Sequence, residues 1–117
     1  MGRIERVNEQ IKREISDIIL RELGDPRLSF VTITQVSVSR DLRHARVSFS
    51  VLGDQKQSEN AKISLDNARG LIRRYLSARV MMRYLPELVF VHDNSVALSA
   101  RIEETLKEIS DESQSHH

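Results

Sequence analysis

Cysteine is absent from the 117 residues, so the chain has no disulfide, no cysteine-ligated zinc and no thiol nucleophile. Tryptophan is absent too. Three Phe and two Tyr are the whole aromatic complement, which leaves little for base stacking. Two prolines and four glycines rule out a low-complexity linker or a glycine-rich phosphate loop. No apolar run approaches the roughly 20 residues of a membrane helix. The first residues, Met-Gly-Arg-Ile-Glu-Arg, are charged and are not followed by a signal-type apolar block. These absences lead us to expect one cytoplasmic domain with no membrane contact.

Lysine is scarce as well. Of the 18 basic residues 14 are Arg and 4 are Lys, and the guanidinium fork matches phosphate oxygens two at a time. The formal net charge of +1 hides an uneven distribution. Residues 1–100 hold 16 basic and 12 acidic side chains, whereas residues 101–117 hold 2 basic and 5 acidic ones. From Asn67 to Pro86 stand Arg69, Arg73, Arg74, Arg79 and Arg83 with no acid among them. A solvated helix face is the ordinary reading of such a run; an anion-binding face is the sharper one.

What is present reads as six elements. Ile4, Val7, Ile11, Ile15, Ile18 and Ile19 recur at three- and four-residue steps, predicting an amphipathic helix from Arg3 to Leu23. Arg3, Arg6 and Arg13 fall on a flank of that stripe, and Gly24 with Asp25-Pro26 stops it. "FVTITQVSVS", residues 30–39, is a strand whose alternation slips, which predicts a bulge near Thr34-Gln35. "RDLR", residues 40–43, is a turn. "HARVSFSVL", residues 44–52, alternates cleanly and completes a hairpin with one wet face, which presents Arg46, while Arg43 ends the turn of the same hairpin. A loop over 53–57 leads to a helix capped by Ser58, with an apolar row of Ala61, Leu65, Ala68, Ile72 and Leu76. Leu88 to His92 is a short third strand. Asp93-Asn94-Ser95 introduces a last helix with Leu98, Ile102, Leu106 and Ile109 inward, and residues 111–117 form a polar flexible tail. His116 and His117 carry no functional weight. The fold class is α+β, one domain over residues 1–110 with a three-stranded sheet and helices on one face.

Gly70 interrupts the fourth element. A glycine inside a helix costs about 1 kcal/mol relative to alanine. Close packing, a helix end and a kink between two half-helices all explain it. The kink is favoured, because a single helix of about 22 residues is long against a mean of about 11–12. A kink would also free backbone N–H groups for an anion beside Arg69, Arg73 and Arg74.

The element order resembles the type II KH architecture, an RNA-binding fold, but the G-x-x-G loop that clamps nucleic-acid backbone is absent. The chain more closely resembles the ribosome-binding factor A family. The likeness rests on "RVNEQIKREISDII", on "VTITQVSVSRDLRHARVSFSVLG" and on "NARGLIRRYLSARVMMRYLPELVFVHDNS". It spans roughly residues 3–109, and the Arg83–Asp93 piece "RYLPELVFVHD" is its most diagnostic part. In that family an Ala-x-Gly kink replaces the G-x-x-G loop, and Ala68-Arg69-Gly70 stands in its place here.

The resemblance implies a non-catalytic assembly factor without cofactor or metal. Such a factor binds the free or immature 30S subunit and its 16S rRNA late in maturation, near the 5′-end helix and central pseudoknot. It supports 16S rRNA processing and growth in the cold, acts as a monomer and works alongside assembly GTPases. The charge pattern, read beside this resemblance, makes Arg3, Arg6, Arg13, Arg43, Arg46, Arg69, Arg73, Arg74, Arg79 and Arg83 the expected RNA-binding residues. Two alternatives stand beside it: a generic KH-type RNA binder, and a module that docks an acidic protein on its arginine face. Catalysis by His92-Asp93 at the third strand's end has no partner in any recognisable motif.

Overall fold

In the computed structural model, which describes residues 2–93, the two β-branched runs pair as an antiparallel hairpin of β1 (Val31–Val38) and β2 (His44–Val51). Ile33 pairs with Phe49 and Gln35 with Ser48, so Thr34 is the extra residue of a β-bulge. The bulge corrects the slipped alternation: Ile33, Val36 and Val38 are all buried although their parities differ. β3 (Glu87–His92) lies parallel to β2 on its other side, so the sheet order is β1-β2-β3 with β2 central.

Two helices cover one face of this sheet. α1 (Arg3–Ile18) buries Ile11, Ile15 and Ile18, the stripe its spacing predicts. Its last turn, Ile19–Leu23, is wound as a π-helix rather than an α-helix, and Gly24 ends it in the left-handed conformation at φ 59°. Asp25 then accepts a hydrogen bond from the Arg27 N–H, and Pro26 opens a 3-10 turn over Pro26–Leu28. Against α1 and the sheet lies α2 (Gln55–Arg79), which buries Ala61, Leu65, Ile72 and Leu76. Those residues meet Val36, Val47, Phe49, Leu88 and Phe90 in one core.

Two expectations about α2 are corrected. Its cap is Asp54, not Ser58: Asp54 accepts from the Gln57 N–H, and Gln57 Oε1 accepts from the Asp54 N–H, closing a capping box with glutamine in the usual glutamate position. The preceding Gly53, at φ 153°, leaves room for that box, since a Cβ there would fall on Gln57 Oε1. The second correction is larger. The helix runs unbroken for 25 residues through Ala68-Arg69-Gly70, so the interruption expected at Gly70 does not occur. The apolar row continues in phase across the glycine, with Ala68 and then Ile72 and Leu76 against the core. Burying Ile72 and Leu76 contributes about 1.5–3 kcal/mol each, which outweighs the cost of one glycine.

Gly70 itself faces outward, and a Cβ built on it meets nothing within 4 Å. Close packing therefore does not explain it either. Gly70→Ala is expected to stabilise the chain by about 0.5–1 kcal/mol. Equilibrium urea unfolding would show this as a raised midpoint at unchanged slope. A lowered midpoint would mean that the helix needs a bend that alanine resists.

The predicted last helix and polar tail lie outside the described residues. Among the described residues no helix is long and apolar enough to cross a membrane.

Candidate nucleic-acid interface

The suggested arginines separate into groups. Arg79, at the end of α2, is held by three carboxylates of the α1 segment. Its Nη1 lies 2.6 Å from Asp17 and 3.4 Å from Glu14, and its Nη2 lies 3.3 Å from Glu22. This side chain ties α2 to α1 and is committed to that role. Arg69 is paired with Asp66 at 2.9 Å, and the same carboxylate takes Lys62. Arg73 donates to the Leu85 carbonyl at 3.3 Å, holding the segment that leads into β3. Only Arg74 of the expected Arg69/Arg73/Arg74 group is exposed; Arg69 and Arg73 are half-buried. Because α2 is continuous, no freed N–H groups sit beside them, and the anion-binding helix start expected there is not formed.

These ion pairs predict an acid response. Hydrogen bonding from Arg79 holds the Asp17 carboxyl below its ordinary range. Burial raises Asp66, but hydrogen bonds from Lys62 and Arg69 outweigh it and leave that carboxyl lowered as well. A carboxylate lowered in the folded state stabilises above its unfolded pKa of about 4 and loses that contribution as pH falls through the folded value. The thermal midpoint is therefore expected to drop steeply below about pH 4. Arg79→Met should start from a lower midpoint at neutral pH and fall less steeply. A parallel fall in both proteins would contradict the Arg79–Asp17 link.

The remaining suggested arginines are exposed, and three of them converge. Between the start of α1, the β1–β2 turn and the α2–β3 segment lies a cleft of about 830 Å³, rimmed by Arg3, Arg43 and Arg83. Arg40, not among the suggested residues, is the fourth arginine of the same rim. Half-buried Ile4, Val7, Leu42 and Leu85 line its apolar side. Arg6 and Arg13 are exposed on α1 but do not line the cleft, and Arg46 lies on the open face of the sheet with Gln35, Ser37 and Ser48.

The turn that presents Arg40 and Arg43 is internally fixed. Ser39 Oγ donates to Asp41 Oδ1 at 2.6 Å and accepts from the His44 N–H at 3.1 Å. Asp41 Oδ1 also accepts from the Arg43 N–H at 3.1 Å. The Ser39 hydroxyl first, then the Arg43 N–H, holds the Asp41 carboxyl below its usual range. Leu42 sits at φ 61°, a conformation that a leucine adopts only when its surroundings impose it. The Glu87 N–H donates to the Arg43 carbonyl at 2.8 Å, fastening the turn to β3. Asp41 is the one acid among the described lining residues, and its charge is engaged by the turn. The rim is therefore strongly positive, an arrangement suited to phosphate.

At the far end of β3, the His92 ring packs on Phe49 with centroids 5.4 Å apart, and Asp93 accepts from Thr34 Oγ1 at 3.0 Å. Both residues take part in packing at the sheet end.

Arg40 was missed because "RDLR" reads as an ordinary turn, and nothing local says that the chain near residues 3 and 83 returns to meet it.

Known proteins are similar to this chain in both sequence and fold. Residues 3–106 match the family model of Ribosome-binding factor A. Ribosome-binding factor A of Halothermothrix orenii is 47% identical over 113 residues, covering 97% of this chain and 93% of its own length. That of Acetivibrio thermocellus is 50% identical over 111 residues, covering 94% and 90%. Among solved structures, the crystal structure of ribosome-binding factor A from Thermus thermophilus superposes with a TM-score of 0.70 at 30% identity, over 76% of this chain and 93% of that one. A homology model of the Thermus thermophilus factor, fitted into the cryo-EM map of a 30S–RbfA complex, gives a TM-score of 0.63 at 31% identity, over 74% and 91%. The α+β, KH-like fold is shared with these structures. On this sequence match over nearly its whole length, the chain belongs to the ribosome-binding factor A family.

Proposed function

We propose that this chain binds the 30S ribosomal subunit through its 16S rRNA, and that the arginine-rimmed cleft is the centre of the contact. The carrying observation is the convergence of Arg3, Arg40, Arg43 and Arg83 from three separate segments on one cleft, in a fold whose 31%-identical neighbour was fitted into a 30S complex. Phosphate contacts of this kind fix position without reading sequence, so specificity rests on the shape of the folded rRNA. Arg6, Arg13, Arg46 and Arg74, all exposed, widen the footprint.

In this reading the chain acts as a monomer in the cytoplasm, without cofactor or chemistry of its own. It occupies the subunit late in maturation near the 5′-end helix and central pseudoknot, supports 16S rRNA processing in the cold, and leaves as assembly GTPases complete the stage. Holding one local rRNA arrangement requires only that the factor bind it better than its alternatives. Co-sedimentation tests the reading directly. The chain is expected to pellet with 30S subunits through sucrose at physiological salt, and more with immature than with mature ones. Absence from both pellets would overturn it.

A further inference from the structure

The cleft has features that a flat basic patch would not need. It is hollow, and its volume of about 830 Å³ falls within the range of small-molecule pockets, about 300–1,000 Å³. Its rim carries Tyr84, whose side of the molecule is open: the residue is 73% exposed and contributes nothing to the core. The Arg83 guanidinium lies 5.5 Å from the centroid of that ring, steadying it by a cation–π contact. Met81, fully exposed, adds a polarizable apolar neighbour. The segment between α2 and β3 is irregular, and the N–H groups of Met81, Arg83 and Tyr84 donate to no other backbone group among the described residues.

An exposed aromatic ring, free backbone donors and arginines around a hollow correspond to the parts of one nucleotide. The ring accepts the face of a base, the donors its edge and the arginines its flanking phosphates. Duplex RNA keeps its base faces inside the stack and offers only backbone, so it would use the arginines and leave Tyr84 idle. Unpaired RNA offers all three. We infer that the cleft seats one unpaired RNA nucleotide, its base stacked on Tyr84 and its neighbouring phosphates held by Arg3, Arg40 and Arg43. This rests on the small-subunit reading above and narrows it: the preferred ground is a bulge, loop or single-stranded end of the rRNA.

The experiment compares two probes by fluorescence anisotropy, an unpaired oligoadenylate and a blunt-ended RNA duplex. Stacking of one base on an aromatic side chain is worth about 1–3 kcal/mol, or about 5- to 150-fold in affinity. The full chain is expected to prefer the single strand by at least about 5-fold. Tyr84→Ala should lose about 10-fold on the oligoadenylate and nothing on the duplex, while Tyr84→Phe stays within about 2-fold of the parent. Circular dichroism checks that the variants keep the fold. Equal affinity of the parent for both probes overturns the inference, and so does a Tyr84→Ala loss that is nil or equal on both. Sedimentation with 30S subunits on the same proteins separates the two levels. A parent chain that fails to pellet overturns the proposed function, whereas one that pellets but shows no single-strand preference overturns the nucleotide seat alone.

Discussion

Changing Arg3, Arg43 and Arg83 together to glutamate is expected to weaken binding to 30S subunits by about 100-fold at physiological salt. One residue comes from each segment of the rim, and all three are exposed, so the fold should survive. An exposed charge-assisted contact to phosphate contributes on the order of 1 kcal/mol, and three of them amount to about two decades in affinity. The salt dependence should change with it. Each phosphate contact contributes about 0.7–0.9 to the slope of log affinity against log salt, so the triple variant should lose about 2–3 from that slope. A matched variant at Arg79 provides the contrast. Arg79 is saturated by Glu14, Asp17 and Glu22, so Arg79→Met should lower stability and leave the affinity of the folded chain unchanged. A triple variant that still pellets with parental affinity would remove the cleft from the interface.

That contrast also marks where the sequence was legible. Periodicity carried the hairpin and its bulge, because β-branched residues at alternate positions leave one parity for the core, and Ile33 and Val36 can both be buried only if one residue between them is extra. It carried α1 and the apolar row of α2 for the same reason. Helix length did not follow from local propensity. Gly70 is a weak local stop, and the burial of Ile72 and Leu76 beyond it decided the outcome. The start of α2 was hidden because Asp54 and Gln57 form a box whose glutamine carries no charge to draw notice. Least legible were the partners of the arginines. A run of five arginines without an acid looks like one surface. In the fold, Arg79 meets carboxylates 57 to 65 residues away, Arg73 meets a carbonyl, Arg69 meets Asp66 within its own helix, and Arg83 joins Arg3 and Arg40 in the cleft. Charge composition told how many cations there were. Only tertiary contact told which of them were already satisfied.

Phe49→Ala is expected to be the most damaging single change in the described residues. Phe49 is fully buried on the central strand, paired with Ile33 just before the bulge and in contact with the His92 ring on β3. It therefore touches all three strands' packing at once, and truncation would leave a cavity that neither neighbouring strand can close without giving up its register. Phenylalanine-to-alanine changes in cores cost about 3–5 kcal/mol. A chain of this size has about 5–15 kcal/mol in total, so the variant should lose about a fifth or more of its stability and about 10–30 °C in thermal midpoint. Phe30 supplies the control within the same sheet. It is 58% exposed one residue before β1, and Phe30→Ala should stay within about 0.5 kcal/mol of the parent. Calorimetry on the pair decides the matter: comparable losses at both positions would mean that the core is not centred on β2 as described. Because the arginine rim is fastened to this sheet through the Arg43 carbonyl and the Glu87 N–H, Phe49→Ala should also lose 30S binding, but only in step with its unfolded fraction. The triple arginine variant should lose binding while fully folded, and that difference separates the scaffold from the surface it carries.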